Sequence, residues 1–152
     1  MTEIKLNQEL ELNNLLSFRG KIKQSEMDSI GKDMDIKVKE AGAKRIGNPI
    51  TATFGVEGEY IDVEVLIPLD MKIQNVGEYC FKDKLKITNA VVASYKGNPA
   101  GLQRACNELN QYIVDNKLQP ITVGYNVMKR ISPIDMESTE IDVYVGINPN
   151  IL

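Results

Sequence analysis

The chain has 152 residues, 43% hydrophobic and 26% charged, with 18 basic and 21 acidic side chains and no histidine. That size fits one domain with a core that needs no covalent staples, and the composition argues against disorder, collagen-like repeats and membrane spans. A net charge of -3 argues against a nucleic-acid partner, which needs a concentrated basic face. The missing histidine removes Ser-His-Asp and Cys-His catalysis and any His-containing zinc site.

The opening run Met1-Thr2-Glu3-Ile4-Lys5-Leu6-Asn7 lacks the basic patch and apolar stretch of a signal peptide. No apolar run approaches the ~20 residues of a membrane helix, so a cytoplasmic location is expected. Residues 1–10 are polar enough to suit either an edge strand or a mobile tail. A first strand is expected over 12–19. Ser25, with Asp28 three positions on, suggests a capping box for a helix running to about residue 41. Its apolar face would be Met27, Ile30, Met34, Val38 and Ala41. Gly31 weakens that helix by roughly 1 kcal/mol against alanine, and Gly42 stops it. Strands over 50–56 and 60–67 flank Gly58 as a hairpin turn. Pro68, Gly77 and several charges make residues 70–83 an exposed connection.

The second half repeats this order more clearly. A strand is expected over 89–95. Asn98 can cap the next helix through its side-chain oxygen, and Pro99 suits the first helical position. Leu102, Ala105, Cys106, Leu109, Tyr112 and Ile113 fall on one helical face. Lys117 suits the negative end of the helix dipole, and Pro120 ends the run. Strands over 121–128 and 140–147 follow, joined by a long turn containing Ser132-Pro133 and Asp135. Two local matches support duplication: Ser17-Phe18-Arg19-Gly20 with Ser94-Tyr95-Lys96-Gly97, and Tyr60-Ile61-Asp62-Val63-Glu64-Val65 with Glu140-Ile141-Asp142-Val143-Tyr144-Val145. The expected fold is α+β: two β-α-β-β repeats (about 11–69 and 84–148, joined by 70–83) in a single domain with pseudo-twofold symmetry. Its antiparallel sheet would carry two helices on one face and a central groove.

Side chains alternate along a strand. Ile61, Val63, Val65 and Ile67 share one face, as do Ile141, Val143, Val145 and Ile147, and these rows should lie beneath the helices. The opposite rows mix Tyr60, Asp62 and Glu64, or Glu140, Asp142 and Tyr144. They form either the walls of a groove shared by the repeats or a plain solvated sheet face. A groove of phenol rings and carboxylates suits flat, apolar and cationic ligands. Cys80 and Cys106 read as buried small hydrophobes. Acid pairs such as Glu57 with Glu59, or Asp135 with Glu137, read as ordinary loop acids, and no phosphate-binding glycine loop is present. No metal and no cofactor is expected.

Several segments resemble the gyrase-inhibitor-like (GyrI-like) small-molecule-binding domain. They are Thr88-Asn89-Ala90-Val91-Val92-Ala93-Ser94-Tyr95-Lys96-Gly97-Asn98-Pro99 with its following helix, and Gln119-Pro120-Ile121-Thr122-Val123-Gly124-Tyr125. Asp62-Val63-Glu64-Val65-Leu66-Ile67-Pro68 and Thr139-Glu140-Ile141-Asp142-Val143-Tyr144-Val145 complete the set. The resemblance implies a duplicated fold with a groove between repeats, used alone or as the effector-binding part of drug-sensing regulators. It implies that Glu64 is the groove acid, Tyr125 the aromatic after the second helix, Glu140 the acid opening the last strand, and Tyr95 the residue before the glycine. Gly146-Ile147-Asn148-Pro149 departs from the family's apolar-proline ending, and the helix lacks the usual tryptophan.

The reading is a stand-alone small-molecule-binding protein. Its ligand-binding residues would be Glu64, Glu140, Tyr125, Tyr95, Tyr144, Tyr60 and Phe18, with a homodimer as one expected state. Two alternatives remain: an adaptor whose partner is another protein, and a hydrolase using Glu64, Glu140 and Tyr125 to position water.

Overall fold

The structure, a computed structural model, describes residues 2–131 and 134–150. The expected turn at Ser132-Pro133 lies outside the described residues. The architecture is α+β, with six antiparallel strands and two α-helices: β1 (Thr2–Lys23), α1 (Met27–Glu40), β2 (Ile50–Glu57), β3 (Tyr60–Pro68), β4 (Cys80–Lys96), α2 (Leu102–Asp115), β5 (Tyr125–Arg130) and β6 (Glu140–Gly146). The chain divides into two compact units. One comprises residues 11–86, and the other residues 1–10 with 87–152. Among the described residues no helix is long and apolar enough to cross a membrane.

In the unit of residues 11–86, β3 pairs with β1 on one side and β2 on the other, with a register shift between Thr53 and Gly55. Gly58 turns the β2–β3 hairpin at φ +61, where a side chain would be strained. Val63, Val65 and Ile67 pack with Met34 and Val38 of α1, as the alternation requires. Ala41, expected on this face, is instead the exposed C-cap residue, and Ala43 takes the buried position. A single 3₁₀ turn, Gln24–Glu26, leads into the helix. Glu26 accepts from the Lys23 backbone N–H at 2.9 Å, so the capping contact lies two residues before the expected Ser25–Asp28 pair. Gly42 at φ +79, with the Ala43 N–H donating to the Val38 carbonyl at 3.1 Å, closes the helix in a Schellman turn.

Three further expectations for this unit need correction. Residues 70–83 are not simply an exposed link: Tyr79 is 1% exposed and lies edge-on to Phe18 at 6.1 Å between ring centroids. Its hydroxyl donates to the Asp33 carboxylate on α1. A tight turn through Gly77 (φ +59) returns Tyr79 against Val76 through two backbone hydrogen bonds. β4 also starts at Cys80 rather than near 89, and Cys80 is exposed rather than buried.

The other unit has the same strand-helix-strand-strand order. β6 pairs with β4 and β5 on its two sides, with a register shift between Met128 and Arg130. Ala105, Leu109 and Ile113 bury the stripe of α2 against Val91, Ala93, Ile141, Val143, Val145 and Ile147. Ile4 joins this cluster, so residues 2–10 belong to a strand rather than a mobile tail. Asn98 accepts from the Ala100 N–H at 2.9 Å, and Pro99 opens the 3₁₀ turn before α2. The Leu118 N–H donates to the Ile113 carbonyl at 3.0 Å with Lys117 at φ +55, a Schellman turn made without glycine. β5 starts at Tyr125, four residues later than expected.

Candidate functional site

The polar row of β3 contains one residue that is costly to place where it is. Glu64 is only 4% exposed, and a buried carboxylate needs both charge and hydrogen-bond partners. The Ser17 hydroxyl on β1 donates to Glu64 Oε2 at 2.9 Å, and the Lys82 ammonium donates to the same oxygen at 2.5 Å. Arg19 stands directly across from Glu64 in the β1–β3 register. Its guanidinium turns instead to Asp62, making two 3.1 Å contacts, and covers the Phe54 ring at 3.5 Å. The Arg19 hydrogen bond holds the Asp62 carboxyl below its ordinary pKa. Tyr60 is exposed, with the Lys23 ammonium 5.9 Å from its ring centre. It lines a small cavity of about 190 Å³ with Lys21, Val56 and Asp62.

The second unit carries a parallel arrangement on β6. Asp142 is 7% exposed and pairs with the Lys129 ammonium at 3.2 Å. The Asp142 hydrogen bond and charge raise the Lys129 pKa. Glu140, two residues away on the same face, lines a cavity of about 540 Å³ together with Asp142, Ser94, Tyr95, Lys96 and Lys129. Tyr144 stands directly opposite Tyr125 in the β5–β6 register. Burial, then the Asp142 charge, pushes the Tyr144 phenol up.

Two expected site residues belong to the helix-facing side. Phe18 is opposite Val65 and buried in the core, with its ring 3.0 Å from where a Cβ on Gly20 would sit. Tyr95 is opposite Ile141, and its hydroxyl donates to the Asn98 carbonyl at 2.6 Å. A Cβ on Gly101 would lie 2.2 Å from that hydroxyl, so Tyr95 shapes the turn into α2. In both units, then, the aromatic of the repeated aromatic-cation-glycine run covers its glycine.

Expected residues that stay together on polar faces are Glu64 and Tyr60 on β3, and Glu140, Tyr144 and Tyr125 on β6 and β5. Reasoning from the sequence missed Lys82, Ser17 and Lys129. The alternation of Lys82, Lys84 and Lys86 with Phe81, Leu85 and Ile87 was the available sign that residues 80–87 form a strand. Among the described residues no group of three or more His, Cys, Asp or Glu could hold a metal ion. Burial raises the Cys106 thiol pKa, which disfavours its thiolate.

No protein-family model and no curated protein matches the chain. Solved structures do. The C-terminal domain of EcmrR superposes with a TM-score of 0.82 at 18% identity, covering 97% of this chain and 98% of that one. EcmrR in its DNA complex gives 0.80 at 20% identity, where 97% of this chain spans 57% of that one. SAV2435, solved bound to tetraphenylphosphonium, gives 0.56 at 8% identity over 98% of this chain and 94% of that one. These likenesses establish the fold.

Proposed function

We propose that this chain is a small-molecule-binding domain of the GyrI-like kind, whose ligands are bulky or planar apolar cations. Glu64 is the counter-charge in its unit. In the other unit, Tyr125, Tyr144 and Glu140 form the ligand-facing surface. The observation that carries this reading is the Glu64 carboxyl group: buried, held by a lysine at 2.5 Å, and placed on the side of β3 away from the helix-packed core. A preorganised buried carboxylate attracts a cation strongly because much of its own desolvation is met before the ligand arrives. The fold shared with the EcmrR C-terminal domain, and with a protein solved bound to an organic phosphonium, supports the same reading.

The test is a thermal-shift screen with tetraphenylphosphonium and planar cationic dyes on wild type and Glu64→Gln. A ligand at a hundred times its dissociation constant adds about 2.7 kcal/mol, or roughly 5–10 °C in a domain of this size. The expected result is a shift of that order in wild type, largely lost in Glu64→Gln. Equal shifts in both proteins, or none in either, would overturn the proposal.

A further inference from the structure

Glu64 is held in an unusual way for an acid so deeply placed. Its ion partner, Lys82, keeps 43% of its own side chain exposed. Both Lys82 and Ser17 converge on Oε2. The other candidate cation, Arg19, is drawn off by Asp62 and Phe54 although the register sets it opposite Glu64. The one ammonium on Glu64 among the described residues is therefore a flexible lysine already half in water. The same device recurs in the other unit, where buried Asp142 is balanced by Lys129 with 59% of its side chain exposed.

We infer that Lys82 is a tethered counter-ion that a cationic ligand displaces from Glu64, and that Lys82 thereby sets both the affinity and the charge selectivity of the site. This rests on the proposed reading of Glu64 as the ligand's counter-charge. Without a ligand, an uncompensated buried carboxylate would be strongly destabilising, so some cation has to stand there. An ammonium on a four-carbon stem can fill that place and leave it, because it recovers strong hydration once released. The exchange conserves charge: one cation enters as another swings out. It favours ligands that lose little hydration on entering, meaning bulky cations with spread charge, over small ammonium or metal ions. Neutral ligands cannot drive it. Arginine in place of Lys82 would grip the carboxylate with two parallel hydrogen bonds and be harder to dislodge.

Calorimetric titration with tetraphenylphosphonium tests the inference on wild type, Lys82→Met, Lys82→Arg, Glu64→Gln and the Lys82→Met/Glu64→Gln double variant. The expected result is at least tenfold tighter binding in Lys82→Met and several-fold weaker binding in Lys82→Arg. The two Glu64→Gln proteins should bind weakly and alike, since Lys82 competes only for a charged Glu64. Unchanged or weaker binding in Lys82→Met overturns the displacement, while a loss confined to Glu64→Gln leaves the Glu64 reading standing. Absence of binding in every variant overturns both. If Lys82→Met does not fold, Lys82→Gln removes the charge while keeping a polar head, and its titration is read in the same way.

Discussion

The two helices have the same length and the same place in their units, yet they are secured differently. α2 buries Ala105, Leu109 and Ile113 on one stripe and starts from a capped Asn98-Pro99 turn. α1 buries only Met34 and Val38 and carries Gly31 in its interior, although the 3₁₀ turn before it has its own side-chain contact, from the Lys23 N–H to Glu26. Its unit makes up the difference from outside the helix. Tyr79, delivered by the segment before β4, packs against Phe18 and hydrogen-bonds Asp33 on α1. A helix with a thin apolar stripe draws its stability from tertiary contacts more than from its own propensity. The pair of units shows both solutions within one chain.

The largest effect should come from removing that clamp. Tyr79→Ala is expected to cost about 3–5 kcal/mol, the usual range for deleting a buried aromatic. Tyr79→Phe should cost about 1.5–3 kcal/mol, the range for a hydrogen bond to a charged group. Both are read from urea unfolding. A loss in Tyr79→Ala no greater than in Tyr79→Phe would mean that only the hydroxyl matters, and the packing half of the comparison would fall.

A smaller, stabilising pair tests the helices themselves. A Cβ on Gly31 meets nothing within 4 Å, so Gly31→Ala should add about 0.5–1 kcal/mol to α1. Lys117 sits at φ +55 where α1 uses Gly42, so Lys117→Gly should relieve about 1 kcal/mol at the end of α2. Midpoints that fall in either variant would show that the local backbone account of that helix is wrong.

The smallest effects concern pH, and the alkaline side involves both units, since burial and the Asp33 hydrogen bond also push the Tyr79 phenol up. The Asp62 carboxyl lies below its ordinary value of 3.8 because Arg19 bonds its charged form. Its contribution is present above the unfolded pKa and lost as pH falls. Lys129, raised from 10.5 by Asp142, and Tyr144, raised from 10.0 chiefly by burial, act in the opposite sense. Their contributions are complete below about pH 10 and are lost as pH rises through the folded pKa values. Stability measured across pH should therefore decline at both ends. Lys129→Met and Tyr144→Phe should flatten the alkaline decline, and Arg19→Ala the acid one. An alkaline limb unchanged in both Lys129→Met and Tyr144→Phe would remove these groups as its cause.

Much of this organisation was legible in local sequence. The α2 face, the Asn98 cap, the Gly42 and Gly58 turns, and the alternation of β3 and β6 all follow from periodicity and backbone preference, which act over a few residues. Each was found near its expected place. Misplaced features were those settled by distant partners. Residues 80–83 read as the end of an exposed connection although β4 already begins at Cys80, and Lys82 within them pairs with a buried acid. Phe18 and Tyr95 were counted among the ligand-binding residues. The register sets them opposite Val65 and Ile141 of the helix-packed rows, since a strand's facing follows its pairing, and Tyr95 there still borders the cavity lined by Glu140.

For the site, the order of residues gave an acid-bearing strand at the end of each repeat, and the resemblance to the GyrI-like domain singled out Glu64 on the first of them. Which cation stands beside that carboxylate could not be read from the order of residues. Arg19 and Lys82 are both plausible partners in sequence, and only the folded geometry sends Arg19 to Asp62 and Lys82 to Glu64. Periodicity and turn chemistry are written along the chain, whereas the pairing of charges depends on which side chains the strands bring within a few ångströms of one another.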